Sequence, residues 1–244
     1  MTSQSCLMMF LANALDDRNL APCGQCAICL GKPLLKTRCS LEKVNQAIQF
    51  LRRSDQVIEP RKQWVKSAFP IYGFSGYIKD DLRAEEGRAL SLWGDAGWGE
   101  SVRQGKYQDN NFDQALVQGT IEMILRWKPN PMPTWVTCVP SLNRPQLVPH
   151  FAQRLGNGLR LPFLPVVQKV RQNEPQKTKS NSYQQAFNLD GVFAIDTSKI
   201  KSGPVFLIDD FVDSRWTFTV IAALLRQSGS GQVFPLALAL NSLS

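Results

Sequence analysis

Three of the chain's six cysteines fall within seven residues, Cys23-Gly-Gln-Cys26-Ala-Ile-Cys29, and sixteen residues separate Cys23 from Cys6. Four thiolates can close a tetrahedral zinc site, and two-residue gaps let a single turn deliver three of them. Gly24 suits the tight backbone of such a turn. An iron–sulfur cluster is the rival, because CxxCxxC also occurs there. That motif continues with a further Cys and a Pro, whereas Leu30-Gly-Lys-Pro33 follows here and the next cysteine is Cys39. Cys39 competes with Cys6 as fourth ligand, and unliganded buried cysteines are the plainest alternative.

A second constellation lies near the other end. The apolar run Pro204-Val-Phe-Leu-Ile208 empties into Asp209-Asp210, then Phe-Val-Asp213-Ser214-Arg215-Trp216-Thr217. A buried strand ending in two carboxylates and a turn that opens a helix is a place to hold a phosphorylated sugar. The acids take hydroxyls directly or through Mg²⁺, and the helix N-terminus offers N–H groups to phosphate. Elsewhere the signal is thinner. His150 is the only histidine and has no nucleophile near it in sequence. Cys138 lies in an apolar strand and reads as core. No GxxxxGK[ST] phosphate loop occurs, so the chain has no ATP-driven motor of its own.

These residues need a frame. At 244 residues, 43% hydrophobic and 20% charged, the composition is that of folded protein rather than a disordered chain. No apolar run reaches the ~18 residues of a membrane span. Cys6–Leu15 has no basic lead and is followed by Asp16-Asp17, so it does not read as a signal peptide. The uneven cysteines differ from those of short secreted scaffolds, and a cytoplasmic location without a membrane partner follows. The formal charge of +8 is local: residues 36–70 carry eight bases against three acids, 71–110 carry five against seven, and 111–244 carry thirteen against eight. Segregated charge points to a polyanion.

Leu41, Val44, Ile48 and Leu51 recur at helical spacing, which predicts a helix over 41–53. Val57–Trp64 reads as a short strand or wing with Arg61 and Lys62, and 72–108 as loops and short strands with one strand at 88–93. From Asn111 the character changes. Asn111 with Gln114 resembles a capping box for a helix ending before Pro129. Strands at 134–139, 163–167, 204–208 and 232–240 then alternate with helices at 147–155 and 216–227. That alternation implies α/β, a parallel sheet with functional residues at its strands' carboxyl ends. Residues 171–191, with Pro175, Lys177 and Lys179, read as a long polar loop. The chain thus divides into 1–35, a small helical zinc module; 36–110, a basic helix with an α+β, wing-like middle segment; and 111–244, the α/β domain.

Two resemblances refine this. Cys6-Leu-Met-Met-Phe-Leu-Ala-Asn-Ala-Leu15 and Leu20-Ala-Pro-Cys-Gly-Gln-Cys-Ala-Ile-Cys-Leu30 resemble the zinc-binding module of RecQ-family DNA helicases over about residues 4–33. The resemblance implies zinc on Cys6, Cys23, Cys26 and Cys29, and a role in holding DNA. The Asp209–Thr217 stretch is similar to the phosphoribosyl-pyrophosphate loop of type I phosphoribosyltransferases, over roughly 112–240 and closest to the branch of the competence protein ComF. This implies a phosphoribosyltransferase-like fold and ligand contacts from Asp209, Asp210, Asp213, Ser214, Arg215 and Thr217, with Mg²⁺ and phosphoribosyl pyrophosphate or a nucleotide-like ligand. Ser214-Arg-Trp216 departs from the family's Gly-rich turn and puts turnover in question. Together the two resemble the RqlH-type group of bacterial RecQ-like helicases. That group implies DNA unwinding, repair and recombination near the nucleoid, with the motor domains elsewhere in the same polypeptide and this chain as their C-terminal part. DNA is then the expected partner, gripped by Arg52, Arg53, Arg61, Lys62, Lys66 and the ring of Trp64.

Overall fold

The computed structural model describes residues 5–17, 20–35, 38–173 and 181–241. The chain forms two compact units, Met1–Ala47 and Ile48–Ser244. Among the described residues no helix is long and apolar enough to cross a membrane.

The first unit holds α1 (Leu7–Ala14), α2 (Ala27–Leu30) and most of α3 (Leu41–Arg52). None of these helices buries a residue of its own. Cys26 caps α2 by accepting from the Cys29 N–H, and Gly31 ends it at φ 61°, a left-handed position that suits glycine. The α3 start is held by Ser40 Oγ, which accepts from Lys43 N at 3.3 Å. Cys6 and Cys26, 5% and 7% exposed, are the buried apolar side chains among this unit's described residues.

The second unit is α/β. Its strands are β1 (Gln56–Ile58), β2 (Gly87–Leu92), β3 (Trp135–Cys138), β4 (Val167–Lys169), β5 (Phe193–Ile195), β6 (Val205–Val212) and β7 (Val233–Leu240). Five of them make the main sheet in the order β1-β2-β7-β6-β3. The β2–β7, β7–β6 and β6–β3 pairs are parallel, and β1 is antiparallel at the edge. Central β6 and β7 are apolar on both sides because both faces are covered. Val205 and Leu207 enter one core with Trp64, Phe69 and Trp216. Phe206 and Ile208 enter another with Leu116 and Phe151, from α5 (Gln114–Trp127) and α6 (Leu147–Leu159). Between β2 and α5 run α4 (Gly99–Gln104) and a π-helical turn, Gly105–Asp109. The short helix α7 (Ser182–Phe187) precedes β5, and α8 (Trp216–Gln227) joins β6 to β7.

Several expectations need correction. The 36–110 segment is not separate: α3 begins in the first unit, while β1 and β2 belong to the main sheet of the second. Residues 59–78 fold as an irregular hairpin on that unit, with Trp64 N donating to Gly76 O at 2.9 Å and Ile78 N to Lys62 O at 2.9 Å. Asp190 secures it by accepting from Ile71 N and Tyr72 N. Asp113, rather than Asn111, caps α5 through Leu116 N at 2.8 Å. The strand expected at 163–167 begins at Val167 and pairs with β5 in a separate two-stranded sheet. Within the 171–191 loop the structure has α7; Pro175, Lys177 and Lys179 lie outside the described residues.

Candidate functional site

In the first unit the four cysteine sulfurs of Cys6, Cys23, Cys26 and Cys29 lie within 4.8 Å of one another. Cys6 Sγ and Cys26 Sγ are 3.9 Å apart. A tetrahedron with Zn–S of about 2.3 Å has edges of about 3.8 Å, so the spacing suits one ion. Backbone N–H groups wrap the sulfurs, Cys23 N on Cys6 at 3.2 Å and Cys26 N on Cys23 at 3.3 Å. Gly24, at φ 70°, makes the turn that aims them. Cys39 is exposed and outside the cluster, so Cys6 is the fourth member. The N–H of Cys23, then that of Met9, holds the Cys6 thiol down to about 6, while the Cys26 sulfur foremost pushes Cys29 up to about 12. A bound cation would replace the protons the four sulfurs share.

In the second unit the acids lie on β6, which runs past the apolar stretch 204–208. That strand continues to Val212, with Asp209 opposite Ala237 and Phe211 opposite Ala239 on β7. The turn is Asp213-Ser214-Arg215. The cleft beside it has a volume of about 380 Å³ and is lined by Asp209, Asp213, Ser214, Thr217, Lys106 and Arg144, among others. A neighbouring hollow of about 390 Å³ is lined by Asp209, Asp210, Thr217, Lys169, Gln172 and Asn173, among others. Asp210 donates its N–H to Asp209 Oδ1 at 2.8 Å. Asp213 accepts from Asn241 Nδ2 at 2.8 Å, which ties the turn to the end of β7.

Burial first, then the Asp210 charge, pushes the Asp209 carboxyl up from 3.8 to about 8. A carboxyl that binds its proton more tightly folded than unfolded loses folding stability as pH rises from about 4 to about 8. Asp209→Asn keeps an oxygen for the Asp210 N–H and removes that charge. It is expected to match the parent near pH 4 and to exceed it by at least about 1–2 kcal/mol at pH 8, read from urea unfolding at both pH values. Equal stabilities at pH 8 would refute the assignment.

Trp216 does not obstruct the cleft. It is 1% exposed and turned into the core, where its Nε1 donates to Ser182 Oγ at 3.1 Å. The Trp64 and Trp216 rings stack at 6.3 Å. Arg61 lies over Trp216 at 4.0 Å and donates twice to Ser214 O, at 2.6 and 3.0 Å. The position where a glycine is expected is met differently: Arg215 itself takes φ 65°. It also leaves its buried Nε without a hydrogen-bond partner. Burial first and the Arg215 charge second bring Arg61 down to about 10. Arg215→Gly should therefore stabilise the fold by about 1 kcal/mol, or roughly 2–4 °C of Tm in calorimetry, through relief of the left-handed conformation and of like charge. A fall in Tm would show that the side chain holds the turn together.

Two of the expected DNA contacts are engaged inside the protein. Trp64 is 5% exposed, stacked on Phe74 at 4.3 Å, and has no free face for a base. Arg61 is spent on Trp216 and Ser214. Arg52 is exposed along its side chain but lies over Trp98 at 4.3 Å, with its Nε on Gly97 O at 3.3 Å. Arg53, Lys62 and Lys66 are exposed. His150 is exposed, and Cys138 is buried, its thiol pushed up to about 12 by burial and then by Asp209.

The residues missed are Lys106, Tyr107, Ser141, Asn143 and Arg144. The last three follow β3 at its carboxyl end, the position where such residues are expected, and were legible on that ground. Lys106 arrives from a glycine-rich stretch with no local signal.

No protein-family model matches the chain, and no curated protein matches it. Among solved structures it is similar to adenine phosphoribosyltransferase from Leishmania tarentolae, at 16% identity over 52% of this chain and 72% of that one, TM-score 0.36. It is similar to another adenine phosphoribosyltransferase at 17% identity over 52% and 72%, TM-score 0.34. The enzyme from Leishmania donovani gives 14% identity over 79% of each chain, TM-score 0.39.

Proposed function

We propose that the second unit binds a phosphorylated ribose, as phosphoribosyl pyrophosphate or a nucleotide-like ligand, in the cleft between β6 and the start of α8. One observation carries this reading: Asp209, from the second half of a parallel strand, lines one cleft of about 380 Å³ together with Asp213, Ser214 and Thr217 from the turn and opening residues of a twelve-residue helix. Carboxylates suit sugar hydroxyls, while Ser214, Thr217 and the helix N-terminus suit phosphate. The similarity of Asp209–Thr217 to the phosphoribosyl-pyrophosphate loop agrees with it. Transfer chemistry at this site would make the chain a phosphoribosyltransferase. Calorimetric titration with ribose 5-phosphate and with phosphoribosyl pyrophosphate tests binding. Heat is expected with the wild type and not with Asp209→Ala/Asp210→Ala; no heat with the former, or equal heat with both, removes the reading.

The four-cysteine cluster favours a second reading for the whole chain, as the C-terminal, DNA-holding part of a RecQ-like helicase whose motor domains belong to the same polypeptide. The cysteine spacing and convergence support it. Its phosphate contacts fall to Arg53, Lys62 and Lys66, since Arg61 and Trp64 are engaged internally and Arg52 rests on Trp98 and Gly97 O. DNA affinity should drop steeply with salt, and reversing these three charges should weaken it further; affinity unchanged by reversal would count against DNA as partner.

A further inference from the structure

Asp210 is not an open carboxylate. Lys106 Nζ lies 2.9 Å from its Oδ1, and the two side chains are 18% and 12% exposed. The lysine is placed by an unusual piece of backbone. Asp95 fixes the start of α4 by accepting from Gly97, Trp98 and Gly99 through Oδ1. The helix then widens into the π-helical turn Gly105–Asp109, which swings Lys106 over the end of β6. Such turns recur at functional sites. Gly105 permits the close packing, since a Cβ there would meet Asn111 O at 2.7 Å and the Phe112 ring at 2.9 Å. The Phe211 ring, 5.5 Å from the ammonium, floors the position.

We propose that Lys106 is the resident cation of this cleft, standing at the acid pair in place of a divalent metal ion, so that a phosphorylated ribose binds there without Mg²⁺. The inference rests on the sugar-phosphate reading for its ligand and on the Lys106–Asp210 pair for its chemistry. Mg²⁺ needs oxygen ligands at about 2.0–2.1 Å in near-octahedral order and keeps several waters. With an ammonium already on the Asp210 carboxylate, a metal ion there would share one anion with a second cation. The ammonium has three donors, and Asp210 takes one, which leaves two for sugar or phosphate oxygens. Arg144, whose guanidinium lies 5.2 Å from the Tyr107 ring, supplies further positive charge on the same wall.

Two measurements on the full chain decide this. Ribose 5-phosphate titrated calorimetrically should bind wild type with less than about a threefold difference between EDTA and Mg²⁺, and Lys106→Arg should behave alike. Mn²⁺ titrated alone and followed by electron paramagnetic resonance should bind wild type weakly and Lys106→Met at least about tenfold more tightly, with the gain lost in Lys106→Met/Asp210→Asn. Mn²⁺ binding to wild type as tight as to Lys106→Met, or ribose 5-phosphate binding only with metal, overturns the proposal. If Lys106→Met does not fold, the wild-type comparison in EDTA and Mg²⁺ and Lys106→Arg decide instead. If ribose 5-phosphate binds under no condition, the sugar-phosphate reading falls, while the Mn²⁺ comparison still decides what Lys106 does.

Discussion

Stripping metal from the four-cysteine cluster is expected to unfold the Met1–Ala47 unit and leave the α/β unit intact. The described helices of the first unit bury nothing, and the buried apolar side chains among its described residues are two of the cysteines themselves. A segment this short cannot offset its conformational entropy from apolar burial. A structural zinc ion contributes on the order of 10–16 kcal/mol at pH 7, enough to order it. Cys26→Ser removes the thiolate that also caps α2 and should have the same effect as chelation. The purified chain should carry one equivalent of zinc. Chelation should collapse the amide dispersion of residues 5–35 in a heteronuclear NMR spectrum while the β6 and β7 amides stay in place. Full dispersion after complete metal removal would mean that the cluster is not the brace.

The second large effect is expected at Trp216. Trp216→Ala removes a side chain that is 1% exposed and packed against Trp64 and Phe69 beneath Arg61. Truncation of a buried tryptophan costs about 3–5 kcal/mol, which in a unit of this size lowers Tm by about 10 °C. The loss should reach the cleft too, because Arg61 holds Ser214 O only while its guanidinium has the indole to rest on. A double-mutant cycle with Arg61→Met separates the two contributions, and the coupling should be about 1 kcal/mol or more. A Trp216→Ala protein within about 1 kcal/mol of wild type would show that the aromatic core is not what supports the turn.

What the sequence revealed follows the range over which its signals act. The spacing of Cys23, Cys26 and Cys29 is local and marked three of the four converging residues, while Cys6 rather than Cys39 came only from the resemblance. The apolar runs at 204–208 and 232–240 marked two buried parallel strands because both faces of each are covered. Signals that depend on distant partners were not legible. Trp64 and Arg61 read as part of a basic strand or wing for DNA, yet the ring and guanidinium pack on Trp216 of α8, about 150 residues further on. The apolar run marked only the first part of β6, because carboxylates are rare inside strands, and the Lys106 that pairs with Asp210 comes from a different element. The 110/111 boundary failed for the same reason: nothing within Gly87–Leu92 announces that its partner is β7.

That last pairing sets the order in which the protein can be made. Ser91 Oγ donates to Leu238 O across 147 residues of sequence, and β2 touches no other parallel strand. On the ribosome, β1 and β2 emerge long before β7 exists, and β6 emerges before the strand that joins it to them. The sheet therefore closes only after Val233–Leu240 leaves the exit tunnel, and until then two apolar strand edges stand unpaired. A chain stalled anywhere before Val233 would lack the strand that joins β2 to β6, and the sheet of the α/β unit would be left in two unjoined parts.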